Sequence, residues 1–323
     1  MGHARPRIVF FGSGEFGLPT LQWLAANADA YDTALIVSQP ARPAGRRRKV
    51  RDTPIAQWAA DTGLPVITPA NVNDPEVLGR IHAVGADIFV VIAFGQKLGQ
   101  PLLADTFAIN LHASLLPKYR GAAPINRAMM NGDDHTGLTV ITLADRMDAG
   151  LILGNLSTAI QPHETAGELH DRLAAHGPEL VRQVLERHGL DQLEPRSQDE
   201  SAVTTAPKLR KEEGTVDFDE DSKLVRARIH GLNPWPGCTV RCIDPGDDTA
   251  EMILKIGRVA DLPDSTTLVG PGTLLESNRI ACRTGCVALR EVQAPGGRMM
   301  TLDAFLQGHD LDQYLQLVPL TSD

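Results

Sequence analysis

Positive charge, aromatic rings, cysteine and long apolar runs are all scarce in this 323-residue chain. The net charge is −9, so a wholesale polyanion coat is excluded and any contact with nucleic acid must come from a local patch. Aromatic residues make up 4%, which leaves few stacking surfaces. Four cysteines in a chain this long do not make a disulfide framework. The longest apolar run, Ile88 to Phe94, is far too short to span a bilayer. Met1 to Arg7 is basic, but a strand-like run follows at once, without the apolar stretch and cleavage site of a signal peptide. These absences together point to a soluble cytoplasmic protein without membrane contact. What remains, 42% hydrophobic and 22% charged, suffices for real cores and argues for about two domains.

From Arg7 to about Leu190, apolar strand runs alternate with helical patterns. Strands are expected at Ile8–Phe11, Ala34–Val37, Asp87–Ala93, Phe107–His112 and Leu138–Leu143. The Asp87–Ala93 run has the continuous apolar character of a central strand covered on both faces. Helices are expected at Pro19–Ala26, after the Thr53 cap with Pro54 at the first position, and from Ala166 to Arg187 behind the Thr165–Glu168 capping box. Strand–helix alternation of this kind implies a parallel α/β sheet with right-handed crossovers. Residues 191–207 are polar, lack a period and read as a linker. Beyond it, short strands are expected at Thr215–Asp219, Cys238–Ile243, Met252–Val259, Thr273–Leu275, Arg279–Cys282 and Val287–Val292, with one helix at Lys223–His230. That pattern suits a small β-barrel. The expected organisation is therefore residues 1–190, linker 191–207, and residues 208–323.

Gly12-Ser-Gly14-Glu-Phe-Gly17 after the first strand is formally the dinucleotide fingerprint. The acidic residue that should end the second strand is missing, because Val37 is followed by Ser38-Gln39-Pro40. Arg42 leaves a 2′-phosphate reading open; the alternative is a glycine turn for close strand–helix packing. Cys238-x3-Cys242 and Cys282-x3-Cys286 depart from zinc-knuckle spacing and read as buried strand thiols, with no metal expected.

Asn110 and His112 lie two apart at the end of a strand and so project to one face. Strand ends in parallel sheets face the ligand crevice. Asp148, next to Gly150, is a second acidic group at a strand end. An amide for an oxyanion, an imidazole for a proton and a carboxylate beside it would serve acyl transfer. Each group is equally readable as a satisfied structural residue. A serine triad through Ser114 lacks the G-x-S-x-G elbow. The stretch N-x-H-x-S-L-L-P-x-x-R-G-A-x-P from Asn110 to Pro124, with D-x-G 36 positions after the histidine, resembles the folate-dependent formyltransferases. The resemblance implies a Rossmann-like formyltransferase domain with Asn110, His112 and Asp148 as its catalytic residues. It implies 10-formyltetrahydrofolate as formyl donor, bound near Phe94, Gly95 and Leu98 and along Ser114, Leu115, Leu116 and Pro117. The family commonly has threonine where this chain has Ala149.

Between Arg42 and Arg51, six of ten residues are basic and none is acidic. Proline and glycine oppose a helix there, so a mobile, solvated loop is expected. By composition it is a solvated charged loop, an anion clamp or a phosphate-contacting arm. The Q-P-x-R-P-A-G-R pattern is similar to the inserted loop of the family branch that formylates the methionine of initiator tRNA. Lys208 onward and Leu232-Asn-Pro-Trp-Pro-Gly237 resemble the start of that branch's C-terminal OB-like β-barrel. This implies Arg42, Lys49 and Lys208 as tRNA contacts, initiator methionyl-tRNA as partner and a monomeric enzyme. With 13 basic and 18 acidic residues from Lys208 to Asp323, the barrel's contacts must be confined to one face. Siblings acting on a nucleotide sugar or glycinamide ribotide would share the catalytic residues without needing the basic loop.

Overall fold

The structure, a computed structural model, describes residues 5–44, 49–104, 106–266, 268–311 and 315–320. Contacts divide the chain into two compact units. The first comprises Met1–Arg120, Gly137–Ser157 and His170–Thr204; the second comprises Gly121–Thr136, Thr158–Leu169 and Thr205–Asp323. The units are thus not successive segments. Residues 121–136 and 158–169 cluster with the C-terminal half, and most of the polar stretch expected to be a linker belongs to the first unit.

The first ten strands in chain order are β1 (Arg7–Gly12), β2 (Asp32–Val37), the short hairpin strands β3 (Arg42–Ala44) and β4 (Lys49–Arg51), β5 (Val66–Ile67), β6 (Ile88–Ile92), β7 (Phe107–His112), the two-residue β8 (Arg120–Gly121), which stands outside the main sheet, β9 (His135–Thr142) and β10 (Ile152–Ala159). The main ladder runs β10-β9-β7-β6-β1-β2-β5, with β3 and β4 paired separately. Strands β2, β1, β6 and β7 are mutually parallel. Strand β9 is antiparallel to β7, pairing Ile109 with Thr142 and His112 with Thr139. The sheet is therefore mostly rather than wholly parallel. Helix α5 (Pro124–Met130) lies between β7 and β9, yet β9 returns antiparallel, which strand–helix alternation alone does not indicate.

Ile8–Phe11 are fully buried and every residue of β6 is buried. Both central strands are covered on both faces, which explains their uninterrupted apolar runs. The chain leaves β1 toward β2 on one side and reaches β6 and β7 on the other, so the order reverses between β1 and β6. In open α/β sheets that is where the carboxyl ends of strands form a ligand crevice.

Helix α1 (Leu18–Ala26) follows a single turn at Glu15–Gly17, and α2 (Pro54–Asp61) starts at Thr53, whose Oγ1 accepts the Ala56 N–H at 3.1 Å. A Cβ on Gly12 would come 2.5 Å from the Phe10 ring and 3.1 Å from the Ile92 carbonyl, and one on Gly17 would crowd the side chains of the same two residues. The glycines of the fingerprint therefore close the β1–α1 turn onto β6, as the packing reading expected. The remaining helices are α3 (Pro75–His82), α4 (Gln100–Leu103), α5 (Pro124–Met130) and α6 (Ala166–Gly189). The expected capping box at the start of α6 is present, with Glu168 Oε2 accepting the Thr165 N–H at 2.8 Å.

After β11 (Thr205–Ala206) and α7 (Ser222–Gly231), the second unit contributes β12 (Cys238–Asp244), β13 (Asp247–Leu262), β14 (Leu274–Leu275), β15 (Arg279–Ala281), β16 (Cys286–Gln293), β17 (Met300–Thr301), α8 (Leu302–Leu306) and β18 (Gln316–Pro319). They form an antiparallel sheet in the order β14-β15-β16-β13-β12-β18, with β17 on β16. The expected closed barrel is not a continuous ladder among the described residues; its outer strands meet only through an isolated bridge, Thr273 with Gln316. The expected strand at Thr215–Asp219 is irregular backbone. Val216 and Phe218 are nevertheless buried in the core with Val240, Leu254, Val287 and Phe305. Cys238, Cys242, Cys282 and Cys286 are free and buried in this unit. Burial pushes the thiols of Cys238, Cys242 and Cys282 up to about 12.

No helix among the described residues is long and apolar enough to cross a membrane, and no described cluster of three His, Cys, Asp or Glu groups is arranged to hold a metal ion.

Candidate active site

His112 is the last residue of β7, two places after Asn110, so both side chains leave the same face at the carboxyl edge of the parallel strands. The His112 side chain is 7% exposed and that of Asp148 14%. The ring is clamped from one side: Nε2 lies 2.9 Å from the Tyr119 carbonyl oxygen. A carbonyl only accepts, so Nε2 carries the proton and Nδ1 is the nitrogen left to work. Nδ1 faces Asp148 Oδ2 at 3.7 Å, close enough for charge attraction but longer than a hydrogen bond. Histidine and aspartate, 36 residues apart in sequence, are thus brought together. Asn110 shares the strand end and is half-buried.

The loop after β7 is held by hydroxyls. Thr139 Oγ1 donates to the Ser114 carbonyl at 2.7 Å and accepts the Leu116 N–H at 3.1 Å. The Ser114 hydroxyl donates to the Lys118 carbonyl at 2.7 Å. Tyr119, at φ 64°, is in the left-handed region, and its N–H is caught by Thr204 Oγ1 at 2.9 Å. Asp148 is also left-handed, at φ 53°. Both residues that flank the imidazole, Tyr119 through its carbonyl and Asp148 through its carboxylate, therefore sit on backbone that a non-glycine residue adopts only when its surroundings hold it there.

That support comes from the stretch expected to be a linker. The Gln198 side-chain amide donates to the carbonyls of Asp148 and Gly150, each at 2.8 Å. Its oxygen accepts from Arg120 Nε at 3.0 Å and Nη2 at 2.8 Å. Arg120, 9% exposed, also donates to Glu200, which takes a further bond from Arg146 at 2.9 Å. These two guanidinium groups hold the Glu200 carboxyl below its ordinary range, Arg120 most of all. At Gly150 a Cβ would collide with the Thr142 carbonyl, so only glycine fits this turn. Sequence reasoning missed Gln198, Tyr119, Thr139 and Thr204 because nothing periodic marks them; Arg120 and Gly150 stood inside the quoted motifs without an assigned role.

Of the expected folate contacts, Phe94 and Leu98 lie in the core with Phe11 and Val91, and Leu116 packs with Ile141 and Ile152. Ser114 is fully buried with its hydroxyl committed. Gly95 is exposed, and Leu115 and Pro117 are half-buried. Ala93 and Gly95, at φ 48° and 82°, expose their backbone at the end of β6, while the Phe94 carbonyl accepts from Ser13 Oγ and Gln39 Nε2 at 3.0 and 3.2 Å.

The basic segment differs from its expectation. Arg42–Ala44 and Lys49–Arg51 form a two-stranded antiparallel ladder, pairing Arg42 with Arg51 and Ala44 with Lys49. Arg46, Arg47 and Arg48 lie outside the described residues. Arg42 and Lys49 are exposed, and Arg42 Nη2 donates to Gln39 Oε1 at 2.6 Å. Lys208, in the second unit, is exposed.

A mostly parallel α/β sheet with Asn110, His112 and Asp148 near its carboxyl edge suits group transfer, and similarity to known proteins names the group. Residues 6–185 match the formyl transferase family and residues 208–310 match the formyl transferase C-terminal domain, so the chain belongs to the formyl transferase family. It is 39% identical over 311 residues to a methionyl-tRNA formyltransferase of Methylococcus capsulatus, covering 94% of this chain and 97% of that one. It is 37% identical to the enzyme of that name from Moorella thermoacetica, with the same coverage. In fold it is similar to the N-formyltransferase of Helicobacter canadensis, solved with folinic acid and dTDP-3-aminofucose, at a TM-score of 0.62, 15% identity and coverage of 88% and 99%.

Proposed function

We propose that this protein transfers the formyl group of 10-formyltetrahydrofolate to the α-amine of methionyl initiator tRNA, giving N-formylmethionyl-tRNA for translation initiation. The observation that carries the chemistry is the clamped imidazole, with Nε2 on the Tyr119 carbonyl and Nδ1 toward Asp148. The choice of acceptor is supported by relatives of that name that match both halves of the chain at 36–39% identity.

The donor supplies an electrophilic formyl carbon on a leaving nitrogen. Gly95, Leu115 and Pro117 line its site, with the exposed backbone around Ala93 and Gly95 suited to the hydrogen-bonding edge of a flat heterocycle. Phe94, Leu98, Leu116 and Ser114 shape it from beneath. Asn110 donates to the formyl oxygen as charge builds there, and His112 Nδ1, once protonated, donates beside it. Donors of this kind contribute about 3–4 kcal/mol each. Asp148 accepts the proton of the attacking amine, directly or through water, and that proton is returned to the leaving nitrogen. The nucleophile is the substrate amine, so no covalent enzyme intermediate is needed.

Arg42 and Lys49 on the hairpin and Lys208 in the second unit contact tRNA phosphates. The second unit's sheet is read as an OB-like barrel, supported by the Thr273–Gln316 bridge and by the Leu317 N–H donating to the Gly272 carbonyl at 2.8 Å. The enzyme acts as a monomer in the cytoplasm, where charged tRNA is found.

The test offers the protein labelled formyl donor with charged initiator or charged elongator methionine tRNA. Transfer to the initiator alone is expected. Consumption of donor with a nucleotide amino sugar or glycinamide ribotide, and none with either tRNA, would overturn the reading.

A further inference from the structure

The imidazole of His112 is fixed from two sides by backbone that needs outside help: Tyr119 holds Nε2 and the Asp148 turn faces Nδ1. One side chain reaches toward both. A glutamine amide has two N–H donors and a carbonyl with two lone pairs. In Gln198 all four are used, the donors on the carbonyls either side of Ala149 and the lone pairs on Arg120, the residue that follows Tyr119. Arg120 is itself nearly buried and braced by Glu200. Gln198 therefore bridges the two chain segments that set the ring's surroundings, 50 residues from Asp148 in sequence.

We infer that Gln198 is a positioning residue for formyl transfer, holding the Asp148 carboxylate against His112 Nδ1 through the backbone of the Asp148–Gly150 turn. This rests on the reading of the site given above. Gln198 touches neither the imidazole nor the carboxylate, so its removal leaves both reacting groups in place and loosens their register. Loss of about an ångström in such a site costs roughly tenfold to a hundredfold in rate.

The experiment measures kcat and both KM values for Gln198→Met, which keeps length and removes the polar atoms, and for Gln198→Glu, which keeps the Arg120 partner but sets a carboxylate oxygen against two carbonyls. Each is made alone and in an Asp148→Asn background, with His112→Ala as control. We expect kcat to fall at least about tenfold in both single variants, with both KM values within about twofold. In the Asp148→Asn background, Gln198→Met should cost almost nothing further, because the effect travels through that carboxylate. Equal losses in both backgrounds would reduce Gln198 to a structural brace and overturn the inference, as would unchanged kcat in the single variants while His112→Ala is crippled. If His112→Ala keeps its turnover, the reading of the site itself fails, and this inference fails with it. If Gln198→Met does not fold, the same two comparisons made with Gln198→Glu decide.

Discussion

The Asp148 turn and the Arg42–Arg51 hairpin are both polar and both belong to the first unit, yet they are built in opposite ways. Around Asp148 almost every polar atom is tied down: the imidazole to Tyr119, Tyr119 to Thr204, the turn carbonyls to Gln198, and Gln198 to Arg120. Among its described residues the hairpin has a ladder of three residue pairs, exposed Arg42, Lys49 and Arg51, and one hydrogen bond from those charges, Arg42 to Gln39. A rate depends on geometry held to fractions of an ångström, so its groups are braced. Affinity for a phosphate backbone depends on charge within reach, and such charges can remain solvated. The comparison separates residues that set turnover from residues that set binding.

The separation can be broken at several points. His112→Ala should lower kcat about a thousandfold and leave the KM for tRNA nearly unchanged; steady-state kinetics with both substrates checks this.

Acid should act elsewhere, in the second unit. There His230 is buried, its Nε2 accepts the Val259 N–H at 3.1 Å, and burial, with Arg226 and Arg258 nearby, lowers its pKa to about 4. The unfolded chain takes up this proton near pH 6.5 and the folded protein only near 4. Stability is therefore full above about pH 6.5 and falls as pH drops toward 4, by up to about 3 kcal/mol. Urea midpoints from pH 7 to 4.5 should show that slope in the native chain and a shallower one in His230→Gln.

Gly150→Ala should cost about 1–3 kcal/mol, because the new Cβ meets the Thr142 carbonyl. It should also lower kcat, since the same turn carries Asp148; thermal unfolding and turnover measured on one sample report both. Smallest is Arg42→Ala, expected to raise the KM for tRNA about tenfold, flatten its salt dependence by roughly one phosphate contact and spare the KM for the folate donor.

Much of this was legible before any coordinates. The apolar run at Ile88–Ile92, the Thr53 cap and the Thr165–Glu168 box each carry a local physical signature, and each element formed where that signature stood. Asn110 and His112 stood out because a strand end brings them to one face, whereas Asp148, expected at a strand end, lies in the turn between β9 and β10. What escaped was non-local. Nothing in Leu138–Leu143 tells a strand which way to run, and β9 pairs antiparallel to β7 even though helix α5 lies between them in the chain. The hairpin at Arg42–Arg51 has no apolar alternation to announce a ladder. Val216 and Phe218 alternate as a strand would, but their backbone is irregular: the Thr215 carbonyl accepts from Arg228 Nε, and the Asp219 N–H bonds Asp217. Gln198 is the sharpest case. A glutamine in a polar, aperiodic stretch reads as solvent-exposed linker, and its four hydrogen bonds exist only once three distant segments have folded together.

The most direct test of the braced lip and the solvated arm is single-turnover formyl transfer at saturating donor and charged initiator tRNA, run on the native protein, His112→Ala and Arg42→Ala. The account predicts that His112→Ala transfers about a thousandfold more slowly while binding tRNA normally, and that Arg42→Ala, once saturated, transfers at the native rate. A native transfer rate in His112→Ala, or a large loss in saturated Arg42→Ala, would contradict it.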